Sequence, residues 1–335
     1  MTRPTIEQIK TILNQRIMIL DGAMGTMIQR HDLAEEDFRG KRFKNHPHPL
    51  KGNNDLLSIT RPDIIESIHS AYFEVGADFA TTNSFSGTSI AQADYALESA
   101  VYDINYYSAQ CARRAADKWT ALSPEQPRFV VGALGPTNRT ASLSPDVNDP
   151  GKRLVTFDDL RIAYKDAASA LLDGGADILM IETVFDSLNA KAGLFAIDEL
   201  REERGDILVM VSGTITDASG RTLSGQTPEA FWVSMEHGDL LSIGLNCALG
   251  ADDLLPYIKR IDDKATVFTS AHPNAGLPNE FGEYDQSPEM MVEQLTPFVE
   301  GQHLNILGGC CGTTPEHIQA IKQLADDHSP RILLG

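Results

Sequence analysis

Long apolar runs are missing from this chain of 335 residues. No stretch reaches the roughly 18 consecutive apolar residues that a membrane span needs. Residues 1–16, MTRPTIEQIKTILNQR, read as a polar amphipathic helix without the apolar segment of a secretory leader. Basic charge is also scarce: 28 Lys and Arg stand against 47 Asp and Glu, a net charge of −19. That balance argues against sequence-independent binding to nucleic acid and against docking on an anionic membrane, both of which need a basic footprint. Cysteine is sparse too. Four in a chain of this length do not make a disulfide framework. With no leader, the expectation is a cytoplasmic, reducing setting, where clustered cysteines bind metal or react.

The chain is 42% hydrophobic, enough for one large core. Eight short apolar runs recur, at 17–21, 79–83, 129–133, 178–182, 208–213, 241–246, 266–271 and 304–307, and helical patterns lie between them. Runs of this kind fit strands buried on both faces, as in a parallel sheet. Eight such units predict an α/β fold, a single (β/α)8 barrel of the TIM type occupying residues 1–335. Helix starts are legible at Thr60-Arg61-Pro62, Thr227-Pro228-Glu229 and Thr314-Pro315-Glu316. The connections after several strands, at 22 to about 59, 135–157, 214–227 and 272–287, are long and polar. In barrels the loops at the C-terminal ends of the strands build the active site.

Three of the four cysteines fall at such ends. Cys247 closes the sixth strand in Gly244-Leu245-Asn246-Cys247, and Cys310 and Cys311 follow the eighth in Gly308-Gly309-Cys310-Cys311-Gly312. The glycines permit the sharp turn that would aim adjacent cysteines at one metal instead of at opposite faces. Three thiolates suit zinc and leave a fourth position for an exchangeable ligand. A zinc so rich in negative charge is a poor source of hydroxide. It can still hold a substrate thiol, whose free pKa is roughly 8.5, as a nucleophilic thiolate. The same cysteines also fit a vicinal disulfide or small buried hydrophobes. Cys111, inside a helical stretch, reads as core.

Several motifs together resemble the homocysteine S-methyltransferase family. They are the Gly-Leu-Asn-Cys and Gly-Gly-Cys-Cys-Gly-Thr-Thr-Pro segments, Asp21-Gly22-Ala23-Met24-Gly25-Thr26, Thr82-Asn83-Ser84-Phe85 and Ile181-Glu182-Thr183. Gly135-Pro136-Thr137-Asn138-Arg139 and the segments 214–225 and 271–279 narrow the resemblance to the homocysteine modules of cobalamin-dependent methionine synthases. One departure is Ala23, where many members carry a second glycine. The resemblance implies that Cys247, Cys310 and Cys311 bind Zn²⁺, which would hold homocysteine as its thiolate. The methyl group would come from methylcobalamin on another module, itself supplied from a folate-binding module, in cis or in trans. Asp21 and Glu182 are the expected partners of the substrate ammonium. The backbone of Gly22 and Ala23, with Ser84, would hold its carboxylate. Asn274 is the expected exchangeable fourth zinc ligand, with His272 a competitor, and Asn246 would orient the cysteine loop through hydrogen bonds.

The sequence ends at Gly335, soon after the eighth helical pattern, so the carrier modules are expected elsewhere, and 329–335 reads as the start of a linker. Two rival readings remain open here. One is a methyltransferase using betaine or S-methylmethionine, which needs no partner module. The other is a barrel whose zinc is purely structural.

Overall fold

The structure, a computed structural model, describes residues 5–216, 219–280, 282 and 284–333. Eight parallel strands follow one another in the chain: β1 (Met18–Ile19), β2 (Phe79–Thr81), β3 (Phe129–Leu134), β4 (Ile178–Val184), β5 (Leu208–Gly213), β6 (Ser242–Asn246), β7 (Phe268–His272) and β8 (Ile306–Leu307). Neighbours pair in sequence order from β2 to β8, and β8 pairs with β1. A bridge between Leu20 and Phe79 joins β1 to β2 and closes the ring. The barrel predicted from the eight apolar runs is therefore present, with every run in its expected place.

Alternation along each strand divides the apolar residues into two cores. Inside the ring, Met18, Leu20, Phe79, Phe129, Val131, Ile178, Met180, Met210, Phe268 and Ile306 pack together. Helix Ile6–Gln15 adds Ile9 and Leu13 to this inner core at the N-terminal ends of the strands. That helix is fixed by a capping box between Thr5 and Gln8, and by Arg16, whose guanidinium grips the buried Asp78 through two bonds of 2.6 and 2.7 Å. Outside the ring, alternate residues such as Ile19, Val130, Leu179, Val211, Ile243 and Leu307 meet the surrounding helices.

The helices begin where the sequence signals them. Thr227 caps Pro228–Met235 through its side chain, Pro62–Glu74 and Pro315–Asp326 carry proline in the first turn, and Phe157–Gly174 stops at Gly175. The long connection after β1 is less loop-like than its polarity predicts. It folds into short helices at Met24–Gln29, Glu35–Arg39 and Leu57–Thr60, which bury Ile28, Phe38 and Leu57. The connection at 135–156, by contrast, has no helix or strand. Among the described residues no helix is long and apolar enough to cross a membrane.

The inward positions change character toward the C-terminal end of the ring. Apolar layers give way to Thr81, Glu182, Ser212, Asn246 and His272. Here the barrel stops being core and becomes a site.

Candidate metal and substrate site

A cavity of about 370 Å³ opens at that end. The turn after β6, the loops after β1 and β2, the end of β4, and the loop after β8 line it. Cys247, Cys310 and Cys311 stand together on its wall, with their Sγ atoms all within 4.8 Å of one another.

Two devices bring thiols from non-adjacent strands to one point. First, Cys247 and Ala248 both take left-handed backbone angles, φ 60° and 58°, which fold the chain back over the barrel end. Second, the segment after β7 is stitched between the two cysteine loops. Asn274 N–H donates to Leu249 O on one side, at 3.1 Å. On the other, Cys310 N–H donates to Pro273 O at 2.9 Å and Ala275 N–H to Cys311 O at 2.9 Å. Gly312 completes the turn at φ +81°, where an added Cβ would sit 2.4 Å from the Tyr284 ring, so glycine is required twice over.

The cluster fits zinc. Tetrahedral zinc with Zn–S bonds of about 2.3 Å sets its sulfurs roughly 3.8 Å apart, and Cys247 Sγ lies 3.7 Å from Cys311 Sγ. The thiols are strongly coupled. Hydrogen bonding from its neighbours lowers the Cys311 thiol, while the same contacts and burial raise Cys310. One thiolate forms readily and a metal cation is needed for the rest.

Beside the thiols stand carboxyls that are partly or fully buried. Glu182, near the end of β4, faces the cavity; burial pushes its pKa up to about 7, with the negative charges of Cys311 and Asp55 adding to the shift. Asp55 was not singled out by the sequence reading. It sits in a 3₁₀ turn of the β1 connection, where one oxygen accepts Ser86 N–H at 2.7 Å. It also lines the cavity, and burial raises it to about 7. Among the described residues no lysine or arginine lines this cavity. An acidic pocket without a resident cation suits a ligand that brings one.

The other expected site residues divide. Gly22 and Ala23 lie on the cavity wall, although Ala23 N–H is engaged by Thr313 O at 3.1 Å and Thr313 Oγ1 at 3.2 Å. The Asp21 carboxylate is turned back on its neighbour: Thr81 N–H and Oγ1–H donate to its two oxygens at 2.9 and 2.6 Å. Burial raises it to about 8, against those two bonds. Ser84 does not line the cavity. It is buried off the cavity wall, donating to Ala133 O at 2.8 Å and paired with Thr82 Oγ1 at 2.7 Å. Asn274 Oδ1 accepts Cys311 N–H at 3.1 Å, so it braces the cysteine loop from inside. His272 lines the cavity with its buried Nε2 unpartnered among the described residues, and burial lowers its pKa to about 4, leaving it neutral at pH 7. Cys111 is core, as expected from its helix.

Thr183, next to Glu182, is a further strained point of the site. A β-branched residue at φ 56° costs of order 1–3 kcal/mol and persists only when its surroundings enforce it.

A (β/α)8 barrel thus gathers three thiols that could hold a metal ion, and two cavity-facing carboxyls, at its C-terminal mouth. The family comparison agrees in kind. The sequence profile described as Homocysteine S-methyltransferase matches residues 18–325, and the chain belongs to that family. Among solved structures, the metallated form of the Escherichia coli homocysteine methyltransferase MmuM is 22% identical. It aligns over 94% of this chain and 98% of its own, with a TM-score of 0.71. The oxidised form of the same protein is 20% identical over 92% of this chain and 96% of its own, again at 0.71. At that identity the likeness speaks for the fold.

Proposed function

We propose that this chain binds homocysteine and activates its sulfur for methylation, forming methionine, with Cys247, Cys310 and Cys311 as the metal site. The convergence of three cysteine sulfurs within 4.8 Å on the wall of the acidic cavity carries this reading. Zinc held there would supply a Lewis acid that stabilises a substrate thiolate without quenching its nucleophilicity. Glu182 accepts the substrate ammonium, with Asp55 as a second acceptor across the cavity, and Asp21 supports the wall through Thr81. The backbone at Gly22 and Ala23 borders the substrate carboxylate. Neutral His272 and the apolar side of the cavity keep bulk water from the sulfur. In the transfer, a new S–CH₃ bond forms as the bond between methyl and its carrier breaks.

The favoured donor is methylcobalamin presented by another module, because the segments 135–139, 214–225 and 271–279 resemble cobalamin-dependent members. On this reading the chain, 1–335, is the homocysteine module, and its carrier and folate modules act in cis or in trans. A second reading has its own observation. The cavity combines Glu182 and Asp55 with the rings of Phe85 and Tyr95 and, among the described residues, has no lysine or arginine, a lining that also suits a sulfonium or quaternary ammonium donor. Methyl transfer from S-methylmethionine or betaine without any corrinoid would select it.

X-ray absorption at the zinc edge, with and without homocysteine, tests the core of the proposal. A change from three sulfur neighbours and one light atom to four sulfurs is expected. An unchanged shell would reduce the metal to a structural element.

A further inference from the structure

Homocysteine carries its amino group and its sulfur at opposite ends of a three-carbon spine. A site for it must fix the distance between the ammonium acceptor and the thiol cluster. In this structure one side chain bridges the residue next to Glu182 to a thiol of the cluster. Asn246 ends β6, immediately before Cys247. Its Oδ1 accepts Thr183 N–H at 3.0 Å and Ser212 Oγ–H at 2.7 Å. Its Nδ2 donates to Thr183 Oγ1 at 2.8 Å and reaches Cys310 Sγ at 3.9 Å. A single buried amide thus ties β4, β5 and β6 to a thiol from the loop after β8.

The grip on Thr183 is two-pronged, on both N–H and hydroxyl, and it falls where the backbone is least willing. Thr183 is the left-handed β-branched residue, and the pairing of β4 with β5 shifts register between Ile181 and Val184. A strand running straight on would alternate side chains past this point and leave Glu182 free to follow its neighbours. Held in this bend, the Glu182 backbone is fixed relative to the amide, and the amide is fixed relative to Cys310. The donor and acceptor ends of Asn246 are assigned by the network itself, since Oδ1 faces two donors and Nδ2 faces a hydroxyl and a sulfur.

Resting on the homocysteine reading above, we infer that Asn246 and Thr183 form a positioning clamp that holds the ammonium acceptor Glu182 and the sulfur ligand Cys310 in register, while the Asn246 amide N–H withdraws charge from the Cys310 sulfur. The strain at Thr183 is the conformational part of that device, and hydrogen bonds around ligating groups tune a metal site in the same way.

The test uses the metal-loaded protein, three single variants, Asn246→Ala, Thr183→Val and Thr183→Ser, and the double variant Asn246→Ala/Thr183→Val. Thr183→Val keeps the β-branching and removes only the hydroxyl; Thr183→Ser restores it. Calorimetric titration gives the homocysteine Kd, metal analysis gives stoichiometry, and the cobalt-substituted protein gives the sulfur-to-cobalt charge-transfer band. Asn246→Ala and Thr183→Val should keep one metal per chain and weaken homocysteine at least tenfold, and Thr183→Ser should lie within twofold of the parent. The band should shift in Asn246→Ala. The double variant should be little worse than Asn246→Ala alone, because both changes open the same clamp. Parent-like affinity and an unmoved band in the single variants, or penalties that simply multiply in the double variant, would overturn the inference. If Asn246→Ala does not fold, the two Thr183 variants decide, since each leaves the amide and its bond to Ser212 in place. If the parent itself fails to bind homocysteine, the functional reading falls, and the cobalt band still reports on the amide–sulfur contact without substrate.

Discussion

Replacing Glu182 with glutamine should weaken substrate binding and stabilise the fold, and the second effect should depend on pH. The carboxyl sits in the cavity with a pKa raised from 4.5 to about 7, first by burial and then by the charges of Cys311 and Asp55. Below pH 4.5 it is neutral in folded and unfolded chains alike, so it favours neither. Between 4.5 and 7 the unfolded chain ionises while the folded one keeps its proton, and stability falls as pH rises. Above 7 the penalty is constant. A shift of that size corresponds to roughly 3 kcal/mol at 1.36 kcal/mol per pKa unit, and screening by cavity water reduces the expected penalty to about 1–3 kcal/mol. Glutamine carries no such penalty. Urea unfolding of both proteins at equal zinc content should therefore give similar stabilities at pH 5 and an advantage for Glu182→Gln of about 1–3 kcal/mol at pH 8.5. The same variant loses a charge-assisted hydrogen bond to the substrate ammonium, worth about 1.5–3 kcal/mol, or roughly 10–150-fold in homocysteine Kd. A stability difference that does not change between pH 5 and 8.5 would refute the claim that this carboxyl is desolvated. Loss of zinc from the variant would show that Glu182 serves the metal instead of the substrate.

Four further outcomes follow from the geometry. Cys310→Ala removes one of three converging thiols and should abolish zinc retention and homocysteine binding together, as metal analysis after dialysis and calorimetry would show. Asp55→Asn should raise the homocysteine Kd roughly tenfold or more by removing the second ammonium acceptor; an unchanged Kd would confine Asp55 to holding Ser86 N–H. Ser84→Ala, away from the cavity wall, should leave the homocysteine Kd within twofold of the parent, and a large loss there would restore the role that the sequence suggested. Gly244→Ala should destabilise by about 1–3 kcal/mol or more in urea unfolding, because its Cβ would lie 2.0 Å from the Ser270 carbonyl oxygen of the neighbouring strand.

The barrel was legible in the sequence because its strands are buried on both faces. Each then stands out as a short apolar run whatever the loops do, and all eight runs coincide with strands to within a few residues. The loops carry no such periodic signal, which is why the short helices after β1, and Asp55 among them, escaped notice. Tyr284, which burial and the thiol charges hold above its usual pKa beside Cys311, escaped in the same way.

The three cysteines converge where the sequence reading places them, while Ser84 lies off the cavity wall, for one physical reason. Cys247, Cys310 and Cys311 each follow a strand end, a position that the strand pattern alone locates. Which neighbour of a strand end faces the cavity depends on how the backbone turns there, and residue types do not record that turn. Thr82 and Ser84 pair with each other and with β3, so the hydroxyl expected in the cavity is spent on the sheet. The bend at Thr183 poses the same problem in reverse. Nothing in Ile181-Glu182-Thr183 announces a left-handed threonine, because the cause lies 63 residues away in the Asn246 amide. A motif can therefore nominate the residues of this site, but their directions come from contacts between strands distant in sequence, and it is those contacts that a substrate with two fixed ends would probe.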